Sequence, residues 1–241
     1  MKVTLISATE DALHLLLFTK ATRLNMTGDL MQEIWGWAEE KKAAEIAYMA
    51  KTIRSSWEFV DLCFLIEGVS RPCAQQITRT RTGSYAMQSQ RVVDVSKAAV
   101  YNPYDAETEP EKCNDFVYFA RQGLQNYSAM VKGGHELQVA RGVLPQNITC
   151  NLVAKYNLRN FVDLVGARAS LRVQGEYHDV AAELKRLAIE CWPWSEPFYE
   201  NRHDAAITML EELCAQVGIE PGKGVGWEIA KAIDLLRGDH G

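Results

Sequence analysis

Apolar and polar residues alternate along KVTLIS (2–7), which predicts a short strand. The apolar spacing lengthens in DLMQEIWGWAEEKKAAEIAYMAKTI (29–53), which predicts one long helix with Trp35 and Trp37 in the core. WEFVDLCFLIEGVS (57–70) is rich in strand formers and is expected as a long strand. Ser70-Arg71-Pro72 has the form of a helix start, a hydroxyl cap followed by proline in the first turn. CAQQITRTR continues that helix to a stop at Gly83 and places Gln76, Arg79 and Thr80 on one face. SYAMQSQ (84–90) reads as a loop, and RVVDVSKAAVY (91–101) as a returning strand.

Beyond the polar connector at 102–111, residues 112–134 have helical spacing and end on two glycines. HELQVARGVLP (135–145) predicts a shorter helix ended by Pro145, and ITCNLVAKY (148–156) a strand. Helices are expected over 157–168 and 172–192, and two more around GIEPGKGVG (218–226). Strands separated by helices of varied length, without regular βαβ alternation, predict an α+β fold. The expected architecture is a mainly antiparallel sheet flanked by helices. It is read as a single domain over 1–200 with a helical C-terminal extension over 201–241.

Composition narrows the function classes. The chain has 241 residues, 47% hydrophobic, with a net charge of −5, which disfavours nucleic-acid binding through a basic surface. No window approaches the ~20 apolar residues of a membrane span. The start MKVTLISATE has too short an apolar run for a signal core, so a cytoplasmic location is expected. Six cysteines are scattered without Cys-x-x-Cys, and five histidines have no metal-ligand spacing, so reduced thiols and no catalytic metal are expected. GKGVG (222–226) lacks the ending of a P-loop and reads as an inter-helix turn.

One segment stands apart. Arg79, Arg81 and Arg91 fall within thirteen residues, with no acid near enough in sequence to pair with them. Always charged and forked, their guanidinium groups need an anion between them. Two anions remain open on composition: a phosphate, or a carboxylate from a distant part of the chain. Gly83, Ser84, Ser89 and the loop backbone offer donors as phosphate loops do. Gln76, Gln88 and Gln90 both donate and accept, which suits a pyrimidine edge.

IEGVSRPCAQQITRTRTGSYAMQSQRV (66–92) resembles the signature region of the flavin-dependent thymidylate synthases. The family motif is Arg-His-Arg, seven residues, then Ser. Arg79-Thr80-Arg81 and Ser89 keep that spacing, with Thr80 in place of His. A second block, 140–176, is similar to the family's Ala-Arg-x-x-Leu-Pro, Asn-x-Arg, later Arg and Gln-x-Glu. The resemblance covers roughly residues 1–200.

The resemblance implies a homotetramer with active sites shared between subunits. It implies reductive methylation of dUMP at C5, with FAD as cofactor and methylene-tetrahydrofolate and NADPH as co-substrates. Carried over by position, Gln76, Arg79, Gln88, Ser89, Gln90, Arg91, Asn151 and Arg168 would touch the nucleotide. Arg168 would also be catalytic, polarising the base. Ser55, Arg79, Thr80, Arg81, Met87, Asn157, Arg159 and Asp163 would touch the flavin. No nucleic acid, membrane or metal is implied. The chain departs from the family's usual residues at Thr80, Phe59, Asp163, Ala86, Met87 and Val92, and the departures at Thr80, Ala86, Met87 and Val92 motivate a second possibility, C5 methylation or hydroxymethylation of dCMP or UMP. The loss of two histidines motivates a third, a non-catalytic nucleotide or flavin binder.

Overall fold

Strand β1, Lys2–Ala8, pairs antiparallel with β2, Asp61–Ser70. β2 pairs with β4, Thr149–Asn157, and β4 with β3, Ser84–Met87, giving the order β1-β2-β4-β3. All pairs are antiparallel, as expected of the α+β class. The computed structural model describes residues 1–21, 24, 26–52, 54–168 and 175–199. The expected extension over 201–241 and Gln174 therefore lie outside the described residues. The described residues cluster into two compact units. One comprises Met1–Thr9, Asp61–Asn157 and Gly175–Leu187; the other takes the described residues of 10–60, 158–174 and 188–241.

In the first unit, period-two patterning builds the sheet. Leu62, Phe64 and Ile66 of β2 are buried and lie opposite Tyr156, Ala154 and Leu152 of β4, also buried. Burying such a side chain contributes ~1.5–3 kcal/mol each. The ladder slips between Ile66 and Val69, where Gly68 takes φ +72°. Only glycine adopts that conformation cheaply. The bulge lets β2 end on Ser70, whose hydroxyl accepts from the Cys73 N–H and caps helix α4, Arg71–Thr78. Helix α5, Pro110–Lys132, ends at Gly133. Its Tyr127 is buried with Val95, Ala140 and Ile148.

The second unit is mainly helical: α1, Ala12–Lys20; α2, Gly28–Trp35; α3, Glu39–Thr52; the 3-10 turn Arg54–Phe59; and α7, Leu158–Arg168. Leu16, Leu17, Ile34, Ile46, Met49, Trp57 and Phe161 are fully buried in it. Trp57 meets Phe198 edge to face at 4.6 Å. Helix α8, Glu176–Cys191, begins in the first unit, where it buries Tyr177, Val180, Ala181 and Leu184 at helical spacing.

Several local expectations are corrected. The helix expected over 29–53 is broken at Gly36, whose N–H closes α2 on Gln32 and Glu33 carbonyls. The break turns Trp35 outward, at 51% exposure, and leaves Trp37 half-buried beneath the Lys41 ammonium. The strand expected over 57–70 starts only at Asp61, after the 3-10 turn. Helix α4 ends at Thr78, not near Gly83, because the Arg79 N–H turns back to Gln76 and Ile77 carbonyls. Ser84–Met87, expected as loop, is a strand because Tyr85 and its neighbours pair with Lys155–Leu152. The strand expected over 91–101 does not form; Val100 makes one bridge to Ile148. There the Asp94 carboxyl accepts from the Ser96 N–H and turns the chain, and Val95 is buried against Tyr127. Over 135–145 the helix shrinks to α6, Leu137–Ala140, followed by a 3-10 turn, Arg141–Val143.

Candidate functional site

In the first unit the arginine segment is positioned from both ends. Upstream, α4 is fastened at its start: Glu176 accepts from the Ser70 N–H at 2.7 Å and from its hydroxyl at 2.5 Å. That buried carboxyl comes from 106 residues away. It answers free N–H and O–H groups at a helix N-terminus, where a negative group is favoured. Arg79 is the C-cap of α4, and the chain turns through Thr80–Gly83 into β3.

That turn is tight. The Thr80 carbonyl accepts from the Gly83 N–H at 3.1 Å and from the Tyr85 hydroxyl at 2.7 Å. A Cβ on Gly83 would collide with the Tyr85 hydroxyl and come within 2.6 Å of the Tyr156 ring. Glycine is therefore required for a close approach rather than for its torsions. Past β3, the Gln88 N–H reaches the Asn151 carbonyl at 2.9 Å and extends the ladder. The Ser89 hydroxyl then accepts from the Arg91 N–H at 3.2 Å.

The segment's side chains divide sharply. Gln76, Arg79, Arg81, Gln88, Ser89 and Arg91 are exposed. Among the described residues, no hydrogen bond or ion pair engages the guanidinium groups of Arg79, Arg81 and Arg91. The distant carboxylate left open by composition is thus absent from the described part of this chain. Gln90 differs: it is 5% exposed, its Oε1 accepts from Arg71 Nη1 at 2.8 Å, and its buried Nε2 has no partner among the described residues. Asn151 is exposed, but its Oδ1 is spent on the Gly68 N–H at 2.9 Å, within the β2 bulge. Thr80 is half-buried, and Met87 is 37% exposed at the end of β3. Asn157, half-buried, is the last residue of β4.

The second unit gathers Ser55, Arg159 and Asp163. The 3-10 turn Arg54–Phe59 packs on α7. Arg54 pairs with Asp163, and Arg159 Nη1 meets Glu58 Oε1 at 2.5 Å. Residues 54 and 58, and 159 and 163, each stand four apart, so the two pairs form a ladder of opposite charges with Ser55 on the same turn. The Arg54 guanidinium also lies over the Trp57 ring at 5.2 Å, and its buried Nε has no partner among the described residues. Arg168, half-buried, is the last residue of α7, where its charge suits the helix C-terminus.

Arg54 and Glu58 were missed from sequence. Their signal was present, as two i,i+4 arginine–acid pairs of the same sequence order, Arg54/Glu58 and Arg159/Asp163, which meet running in opposite directions. Arg71 and Glu176 were also missed as supports of the segment, and no local pattern marks either contact. The thiols of Cys63, Cys73, Cys150 and Cys191 are pushed up by burial, Cys73 to about 12, with Glu176 adding to the effect at Cys73. None of these four offers a thiolate nucleophile near neutral pH.

A family model described as "Thymidylate synthase complementing protein" matches residues 4–194. The protein named flavin-dependent thymidylate synthase in Thermococcus onnurineus is 34% identical over 128 residues, 52% of each chain. One so named in Thermococcus kodakarensis is 34% identical over 172 residues, 68% of this chain and 66% of that one. Another, from Haloarcula marismortui, is 28% identical over 209 residues, 76% of this chain and 82% of that one. The matched stretch thus spans about half the length of the first relative and about two thirds of the second.

Proposed function

Because the chain belongs to the thymidylate synthase complementing protein family, we propose that it is a flavin-dependent thymidylate synthase. The reaction takes dUMP, methylene-tetrahydrofolate, NADPH and a proton to thymidylate, tetrahydrofolate and NADP⁺. A homotetramer in the cytoplasm, with active sites shared between subunits, belongs to the same proposal. Among the described residues, no helix is long and apolar enough to cross a membrane.

The observation that carries this reading is the set of three exposed guanidinium groups without a partner among the described residues, in the same segment as a buried amide nitrogen that has none there either. Such a segment fits phosphate-bearing ligands. A charge-assisted hydrogen bond to phosphate contributes ~1.5–3 kcal/mol each. Arg91 with Ser89 would hold the nucleotide phosphate, Gln90 would touch the nucleotide, and Gln76 and Arg79 would add contacts along α4. Arg79, Thr80, Arg81 and Asn157 of one subunit would touch the flavin, and Ser55, Arg159 and Asp163 are further flavin contacts that the resemblance implies, in sites shared between subunits. When bound, reduced FAD supplies the hydride and methylene-tetrahydrofolate the carbon, and the protein positions them. Arg168 would stabilise the negative charge that develops on uracil as C5 becomes electron-rich. Donors of that kind contribute ~3–4 kcal/mol. The raised thiol pKa values of Cys63, Cys73, Cys150 and Cys191 accord with a route in which none of these four attacks the ring.

A second reading, the same chemistry on dCMP or UMP, draws on two observations. Met87 offers no useful hydrogen bond at the end of β3, and Asn151 has its oxygen committed to Gly68. Spectroscopic titration tests the first reading against both alternatives. The purified chain should take up FAD with a flavin absorbance band, and dUMP should perturb that band at micromolar concentration. Failure to take up FAD would favour a non-catalytic protein. A response to dCMP or UMP but not to dUMP would favour the second reading.

A further inference from the structure

Gln90 is the one residue of the arginine segment that is both deeply buried and half-satisfied. An amide can turn either end toward a neighbour. Here the neighbour decides: the Arg71 guanidinium only donates, so the oxygen must face it, at 2.8 Å. Nε2 is then left as a buried donor without an acceptor among the described residues. Leaving such a group unmatched costs ~1–3 kcal/mol, and a buried polar atom of this kind calls for a partner.

Arg71 is itself held firmly. It opens α4 behind the Ser70 cap, and its N–H donates to the Ile148 carbonyl at 3.1 Å. Ser70 is in turn gripped by Glu176. On either side of Gln90, Ser89 and Arg91 are exposed, and Arg91 has no side-chain partner among the described residues.

We propose that Arg71 is a positioning residue that locks the Gln90 amide, so that Gln90 presents only a donor, Nε2, to an acceptor oxygen of the bound nucleotide. The segment thereby becomes donor-only at this point and rejects a ligand group that donates. The acceptor is either a phosphate oxygen or a pyrimidine carbonyl. This inference rests on the nucleotide reading above and adds to it the polarity of one contact and the residue that sets it.

The test is a double-mutant cycle on the FAD-loaded full chain, read by dUMP titration, with thermal melts to establish folding. Arg71→Ala and Gln90→Leu should each weaken dUMP binding about tenfold, the loss of one hydrogen bond's net contribution. In the Gln90→Leu background, Arg71→Ala should cost almost nothing further, because Arg71 acts through that amide. Arg71→Lys keeps a donor and should retain most of the affinity. Parallel titrations of Gln90→Leu identify the acceptor. Weakened dUMP and dCMP with unchanged deoxyuridine indicates phosphate; weakened dUMP and deoxyuridine with unchanged dCMP indicates the C4 carbonyl.

Unchanged dUMP affinity in a folded Arg71→Ala protein would overturn the inference and leave the nucleotide reading standing. So would additive losses in the double variant. Absence of any nucleotide binding by the unaltered chain would overturn both.

Discussion

Along the face shared by the turn Arg54–Phe59 and α7, charge meets charge: Arg54 faces Asp163, and Glu58 faces Arg159. Between Arg79 and Arg91, in the other unit, three guanidinium groups stand exposed, and no described carboxylate meets them. Both regions were expected to hold ligands, and both are rich in arginine. The first balances its own charge within the protein. The second carries unmatched positive charge, a state that phosphate relieves. What separates the two regions is therefore whether each arginine has a partner among the described residues, not the presence of arginine.

The comparison breaks most severely at Arg168. Arg168→Ala should lower kcat ~100–1000-fold, the range for removal of a donor that stabilises developing charge, while FAD stays bound. Flavin absorbance and steady-state kinetics measured together check this, and near-normal turnover would end the catalytic assignment.

Arg91→Ala should weaken dUMP binding ~10–100-fold, as expected for a lost charge-assisted contact. Its melting temperature should not fall, because no described group depends on that guanidinium. A loss of stability without a loss of affinity would show that Arg91 is structural after all.

Asp163→Ala should do the reverse in a titration without FAD, leaving dUMP affinity intact while costing stability. The pair is partly exposed, with side chains 34% and 55% accessible, so the cost should stay within ~1 kcal/mol. Denaturant melts should resolve it, and added salt should shrink it further.

A separate effect lies at alkaline pH. Burial holds the Cys73 thiol at about 12, against an ordinary 9.0. Below pH 9 the thiol is protonated whether the chain is folded or not, and stability is unaffected. Between pH 9 and 12 the unfolded chain loses that proton and the folded chain keeps it, so stability falls as pH rises. Cys73→Ala should flatten this part of the stability profile, and an unaltered slope would refute the assignment.

Much of this was legible in sequence where the signal was local. Ser70 and Pro72 announced the start of α4, and the spacing of Arg79, Arg81 and Ser89 announced the family. Alternation in 148–156 gave β4, and helical spacing gave α7. What was not legible depended on distant partners. Ser84–Met87 lacks a strand's usual length and becomes one only by pairing with β4. Gln90 looked like an open contact because nothing nearby reveals that Arg71, nineteen residues upstream, takes its oxygen. The helix expected over 29–53 failed for a local reason that the apolar spacing masked, the stop at Gly36.

The most direct test of the central claim is an anaerobic turnover. FAD-loaded protein is reduced and mixed with methylene-tetrahydrofolate, and dUMP, dCMP and UMP are offered in parallel while flavin reoxidation and product mass are followed. The account predicts flavin reoxidation with dUMP and a product of the mass of thymidylate. Reoxidation with a modified product from dCMP or UMP alone, or none with any nucleotide, would contradict it.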